Sequence, residues 1–181
     1  MLHINRKIAT RVSALVLALM LLFSCTAGFA AASFTKKAAG VKYNKTTLKL
    51  GGTTSEKALK KLFGNKYKRL TDDGCVFGYA TYQYTFSDKG IIVETLQKKK
   101  GGKEQIITLT ITKSNIPTIA GLKVGDKTSK IAKLYGKKCK INKSKTEMLY
   151  ACGPDDCYEL RIKLKNKKIT KITIIYYPSE K

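Results

Sequence analysis

Apolar and polar residues alternate along much of this chain, with a period of two. Tyr82, Tyr84 and Phe86 alternate with Thr81, Gln83 and Thr85, so one face is aromatic and the other polar. Ser87-Asp88-Lys89-Gly90 reads as a hairpin turn, and Ile91 to Leu96 as the returning strand. Lys98 to Lys103, with Gly101-Gly102, is a basic exposed turn. Ile107, Leu109 and Ile111 then alternate with Thr108, Thr110 and Thr112. Further on, Glu147 to Cys152 reads as a strand and Gly153-Pro154-Asp155-Asp156 as a turn. Leu160, Ile162 and Leu164 alternate with Arg161, Lys163 and Lys165, and Asn166-Lys167-Lys168 turns into a last strand, Ile169 to Tyr177. Val41 to Leu50 has room for a first short strand.

The period changes twice. Leu59, Leu62 and Phe63 fall at i, i+3 and i+4, the stripe of a short helix over Glu56 to Phe63. Thr54 or Ser55 would cap its start, and Gly64 would stop it. Ile131, Leu134 and Tyr135 repeat the stripe, with Thr128 or Ser129 as the cap and Gly136 as the stop.

These helices belong to a longer echo. Leu48-Lys49-Leu50-Gly51-Gly52-Thr53-Thr54-Ser55 recurs as Leu122-Lys123-Val124-Gly125-Asp126-Lys127-Thr128-Ser129, 74 residues later. The markers Leu62-Phe63-Gly64 and Leu134-Tyr135-Gly136 are 72 apart. Such an echo implies duplication. The predicted fold class is α+β: two tandem helix-plus-three-strand antiparallel units, with the helices packed on one sheet face. Residues 33–46 are expected as a flexible leader, 47–114 as the first unit, 115–120 as a linker and 121–181 as the second unit. The turn and cap residues of the repeat are Gly51, Thr54, Gly125, Asp126 and Thr128.

Residues 1–32 read as a secretory signal peptide. Arg6, Lys7 and Arg11 precede an apolar run from Val12 to Phe23, and the small residues up to Ala32 offer cleavage after Ala30 or Ala32. The run is too short to span a bilayer comfortably. Leu22-Phe23-Ser24-Cys25 is an alternative, a lipoprotein cleavage box that would leave Cys25 lipidated and the protein anchored to a membrane surface.

Charge narrows the class of partner. The chain has 36 basic and 12 acidic residues; removing the three basic residues of the leader peptide leaves a net charge of +21. Such a surface attracts anionic polymers and lipid surfaces. Nucleic-acid recognition is the weaker option, because base and phosphate readout favours arginine forks. Lysine outnumbers arginine 32 to 4, and only Arg69 and Arg161 lie beyond the leader.

Candidate chemistry is thin. The single histidine, His3, leaves with the signal peptide, so Ser-His-Asp and Cys-His centres and a His-ligated zinc are excluded. A Ser/Lys hydrolase is compatible with composition, but no local motif supports one. No cofactor is expected, since Gly51-Gly52 lacks the Gly-Lys-Ser/Thr of a phosphate loop. Cys75, Cys139, Cys152 and Cys157 remain in an exported chain. Cys152 and Cys157 flank a turn and form the expected disulfide, with a four-Cys zinc site as the sharper alternative. The expected binding surface comprises Lys98, Lys99, Lys100 and Lys103 together with Tyr79 and Tyr177.

The phrase Gly-Leu-Lys-Val-Gly-Asp at residues 121–126, then Thr128-Ser129 and Leu134-Tyr135-Gly136, is followed by a strand meander. It resembles the tandem units of the β-lactamase-inhibitor-protein-like superfamily. The small outer-membrane assembly lipoproteins of the SmpA/OmlA type share a related single unit. Still closer is the resemblance to uncharacterised secreted proteins of Gram-positive anaerobes. The resemblance covers Thr47 to Tyr177. It implies a protein that binds other proteins or envelope components and is not an enzyme. The expected function is therefore a secreted, non-enzymatic binding module of the cell envelope or extracellular space. Its partner would be an anionic polymer or lipid surface, or a protein. The alternative is an inhibitor or sequestering partner of a secreted enzyme.

Overall fold

Each strong alternation in the sequence forms a strand, and the strands join into one large antiparallel sheet. The computed structural model describes residues 33–76, 79–99, 101–153 and 157–178, with the side chains of 73–76 left out. Residues 1–32, including Cys25, lie outside the described residues, as do Lys100 and the turn 154–156.

A hairpin opens the fold. β1 (Gly40–Tyr43) pairs with β2 (Thr46–Lys49), and Asn44 and Lys45 make the two-residue turn with positive φ of 45° and 65°. The short β3 (Thr53–Thr54) leads into helix α1 (Glu56–Phe63). Four strands follow: β4 (Lys68–Val76), β5 (Tyr79–Phe86), β6 (Ile91–Gln97) and β7 (Glu104–Ile111). Helix α2 (Thr128–Tyr135) precedes β8 (Lys140–Ile141), β9 (Glu147–Cys152), β10 (Tyr158–Lys165) and β11 (Lys168–Tyr176).

The strand order is β4-β5-β6-β7-β11-β10-β9-β8, with β3 added along β7. The last strand of each stretch, β7 and β11, meet at the centre through Ile111↔Ile172, Leu109↔Ile174 and their neighbours. One lateral row crosses the sheet on its inner face: Tyr84, Val93, Leu109, Ile174, Leu160 and Tyr150. All six are at most 3% exposed. Leu59 and Phe63 of α1 and Ile131 and Tyr135 of α2 are buried with them, as spacings of four residues on an amphipathic helix require. Phe63 lies 5.1 Å from both Tyr43 and Phe86, and Tyr135 lies 5.7 Å from Tyr150.

Two expectations are corrected. The fold class is mostly β: eleven strands and two eight-residue α-helices among the described residues, not two helix-plus-three-strand units. β5 to β7 and β9 to β11 occupy the predicted segments. β4 and β8 escape the pattern because edge strands need no continuous apolar face. Secondly, residues 33–46 are no flexible leader. Phe34, Ala39 and Val41 are buried, and β1 is held by hydrogen bonds from Lys42 N to Pro117 O (2.9 Å) and from Ile119 N to Gly40 O (3.0 Å). Residues 115–120 connect the two stretches and are packed as they do so, with Ile116 and Thr118 fully buried.

Candidate binding surface

The repeated phrase does structural work at both copies. Gly51, with φ of 74°, donates its N–H to Ile106 O of β7 (2.8 Å), and Gly52 O accepts from Ile106 N (2.9 Å). Gly125, with φ of 91°, donates in the same way to Ile169 O of β11 (2.8 Å), and Asp126 O accepts from Ile169 N (3.0 Å). Both glycines thus turn the chain so that it docks on the last strand of its own stretch.

One cap falls on an expected residue and the other does not. Ser55, not Thr54, caps α1, its hydroxyl accepting from Ala58 N (3.3 Å); Thr54 sits in β3 opposite Glu104. Thr128 is the first residue of α2, and Lys127 occupies the cap position without a side-chain bond. Asp126 instead closes the preceding turn, accepting from Lys123 N and Lys130 Nζ, each at 2.8 Å. Partial burial pushes its carboxyl up, but these two lysine contacts outweigh it and hold the group below its ordinary value.

Tyr79, Lys98, Lys99, Lys103 and Tyr177 all fall at one end of the sheet, where β5 begins, β6 turns into β7 and β11 ends. Lys98, Lys99 and Lys103 are exposed. Lys98 Nζ lies 5.7 Å from the Tyr79 ring centroid, a cation–π contact. Tyr177 is 46% exposed. It belongs to a different cluster: its hydroxyl donates to Glu159 Oε2 (3.2 Å) and accepts from Arg161 Nη2 (3.1 Å). Arg161 grips the same carboxylate through Nε (2.8 Å) and Nη2 (2.6 Å), which raises its own pKa further. β5 and β11 are three strand spacings apart, about 14 Å. The two tyrosines therefore share an end of the sheet without forming one patch.

Cys152 stands opposite Tyr158, one step out of register with Cys157, whose sulfur crowds Gly153 instead. Cys139 and Cys157 are free thiols, so the expected Cys152–Cys157 disulfide is absent. Adjacent register positions point to opposite faces of a strand, so two cysteines that flank a turn need not face each other. Among the described residues, no group of three or more His, Cys, Asp or Glu side chains is arranged to hold a metal.

Two groups went unread in the sequence. Glu104, at 7% exposure, accepts hydrogen bonds from Tyr84 Oη (3.0 Å) and Thr95 Oγ1 (2.6 Å) inside the core. Burial, then the Glu104 bond, pushes the Tyr84 phenol well up. Beside it, Arg69 lies 4.4 Å from the Tyr82 ring and pairs with Glu56 (3.2 Å), which also accepts from Tyr67 Oη. Alternation alone hides Glu104, because it precedes the apolar run of β7.

Most lysines lie on the surface. Among the described residues, the lysine ion pairs are Lys60–Glu56 (3.8 Å) and Lys130–Asp126 (2.8 Å). No helix among the described residues is long and apolar enough to cross a membrane.

A scan against protein-family models finds no match, and a search of curated proteins finds none at the threshold applied. Two solved structures share part of the backbone path. One is an extracellular protein containing a SCP domain from Bacillus anthracis str. Ames, at 11% identity and TM-score 0.43, over 70% of this chain and 44% of that one. The chain thus spans less than half the length of that protein. The other is the uncharacterized protein yfeY from Escherichia coli, at 16% identity and TM-score 0.43, over 79% of this chain and 99% of that one. Similarity of this degree supports no argument about fold or function.

Proposed function

We propose that this is an exported, non-enzymatic binding protein that holds anionic polymer or lipid surfaces of the cell envelope by its lysine coat. The observation that carries the reading is charge without compensation. A chain of net charge +24 has two lysines in ion pairs among the described residues, and most of the rest face water. A field of that sign recruits polyanions and is weakened by salt. Cell fractionation and sedimentation with isolated envelopes across a salt series test it. The protein is expected outside the cytoplasm and is expected to leave the envelope pellet at moderate salt. Recovery in the cytoplasm, or no salt-sensitive binding to any envelope fraction, refutes it. Lipidation at Cys25 would add a membrane anchor that salt does not release.

A second reading, an inhibitor or sequestering partner of a secreted enzyme, draws on the 50% exposed Leu70 on β4, an edge strand that among the described residues pairs with β5 alone. It predicts a stoichiometric complex that survives high salt.

A further inference from the structure

We propose that the outer face of the β10–β11 hairpin, together with Lys127, is where a linear phosphate polymer docks. This rests on the reading of the protein as an anion-binding module and places the contact. Lys163 stands directly opposite Lys171, and Lys165 directly opposite Lys168. Lys127 bridges to Lys168 from the other side, so Lys127, Lys168 and Lys165 form one lateral row. Like charges directly opposite each other destabilise a sheet, and this hairpin keeps two such pairs and a third neighbour.

The backbone is shaped to make the cluster. Lys168 and Lys171 are three residues apart, a spacing that puts side chains on opposite faces of a regular strand. The register shifts between Lys163 and Leu164, leaving Thr170 as the extra residue on β11, with its hydroxyl bonded to Lys163 O (3.2 Å). The bulge lets Ile169 and Ile172 both enter the core, at no more than 1% exposure, while the exposed Lys168 and the half-buried Lys171 share the outer face with their partners Lys165 and Lys163. Bulges re-aim side chains in this way.

Little opposes the charge. Glu147 is across from Lys163 in the register but makes no ion pair with it among the described residues. Asp126 is taken by Lys123 and Lys130, and Glu159 by Arg161. The two rows lie on the same face of the hairpin, with strands about 4.8 Å apart. An extended chain of closely spaced phosphates matches that array. The side chains are lysines, which act as point charges for phosphate and do not form the planar forks used to read bases. Around the two lysine rows the apolar residues Ile162, Leu164, Ile169 and Ile172 point inward, and Ile175, the outward apolar residue of β11, stands at the far end of the hairpin opposite Glu159, so the lysine cluster itself presents charge and not an apolar wedge.

Binding of the full chain to long-chain inorganic polyphosphate tests this, comparing two triple variants that remove the same charge. Lys127→Gln/Lys165→Gln/Lys168→Gln is expected to weaken binding at least tenfold. It should also flatten the slope of log affinity against log salt by about 2, at roughly 0.7 per contact for a single-stranded polyanion. Lys98→Gln/Lys99→Gln/Lys103→Gln is expected to change affinity less than about threefold, a smaller effect of net charge alone. A urea midpoint for the hairpin variant at or above that of the parent shows that it is folded, since the substitutions relieve repulsion. Equal losses in the two variants overturn the docking site but leave the wider reading intact, as does binding to anionic vesicles or envelopes without binding to polyphosphate. Tighter binding to anionic vesicles through the same three lysines replaces the polymer with a membrane and overturns the proposal. Binding to none of the three probes removes the wider reading as well.

Discussion

Replacing Glu104 by alanine should unfold this protein more readily than any change on its surface. The carboxyl accepts two buried hydroxyls, Tyr84 Oη at 3.0 Å and Thr95 Oγ1 at 2.6 Å. Tyr84 and Thr95 are fully buried, so neither hydroxyl reaches water once the acceptor is gone. Each buried, unsatisfied polar group costs about 1–3 kcal/mol, and two cost about 2–6 kcal/mol. A domain of this size has a total stability of about 5–15 kcal/mol, so Glu104→Ala removes a large share. Glu104→Gln keeps an acceptor for one hydroxyl and places an N–H against the other, where Tyr84 Oη turns to accept it; its cost is about half as great or less. Urea unfolding followed by tyrosine fluorescence gives both values. A double-mutant cycle with Tyr84→Phe isolates the pair, for which the coupling is expected at about 0.5–3 kcal/mol. A cost below about 1 kcal/mol for Glu104→Ala, with no coupling to Tyr84, would refute the reasoning.

Gly40→Ala should destabilise by about 2 kcal/mol or more, because a Cβ there meets Leu48 O and lies 2.9 Å from the Ile119 side chain; thermal melts read the loss. Burial raises the pKa of Tyr84, Tyr135, Tyr150 and Tyr158 in the folded state. Their contribution is complete below the unfolded value of about 10 and is lost as pH rises above it, so stability holds to about pH 10 and then falls. Tyrosinate absorbance that rises before unfolding would contradict this. Asp126 is held below its ordinary value, so its contribution is present above about pH 4 and is lost as pH falls through the lower folded value. Asp126→Asn should shrink the acid loss while costing less than about 1 kcal/mol at neutral pH; urea midpoints at several pH values decide it.

How much was legible follows from what each element buries. β5 to β7 and β9 to β11 alternate because one face of each meets the core, and that period survives in any reading of the chain. α1 and α2 declare themselves by apolar residues at three and four residues and by a following glycine. β4 gives no such sign: Lys68, Arg69, Thr71 and Asp72 are all exposed in an edge strand whose order comes from pairing with β5. Phe34 and Val41 fall within the expected leader because nothing local says that Phe34 will pack on Tyr135 of α2 or that Val41 will pair with Thr118.

The sequence by itself determined which stretches alternate, where the chain turns, the excess of lysine, and the lack of histidine beyond the leader peptide. These depend on local period and composition. Bulges decided the inward set in detail, burying Ile106 where the alternation pointed to Ile107. Only the tertiary structure decided that the two stretches share one sheet, since the β7–β11 pairing joins residues some sixty positions apart. It also decided that Glu104 lies within the core and that Lys127, Lys165 and Lys168 stand in one row. Both depend on register, and a single bulge between Lys163 and Leu164 sets which side chains of β11 reach the surface together.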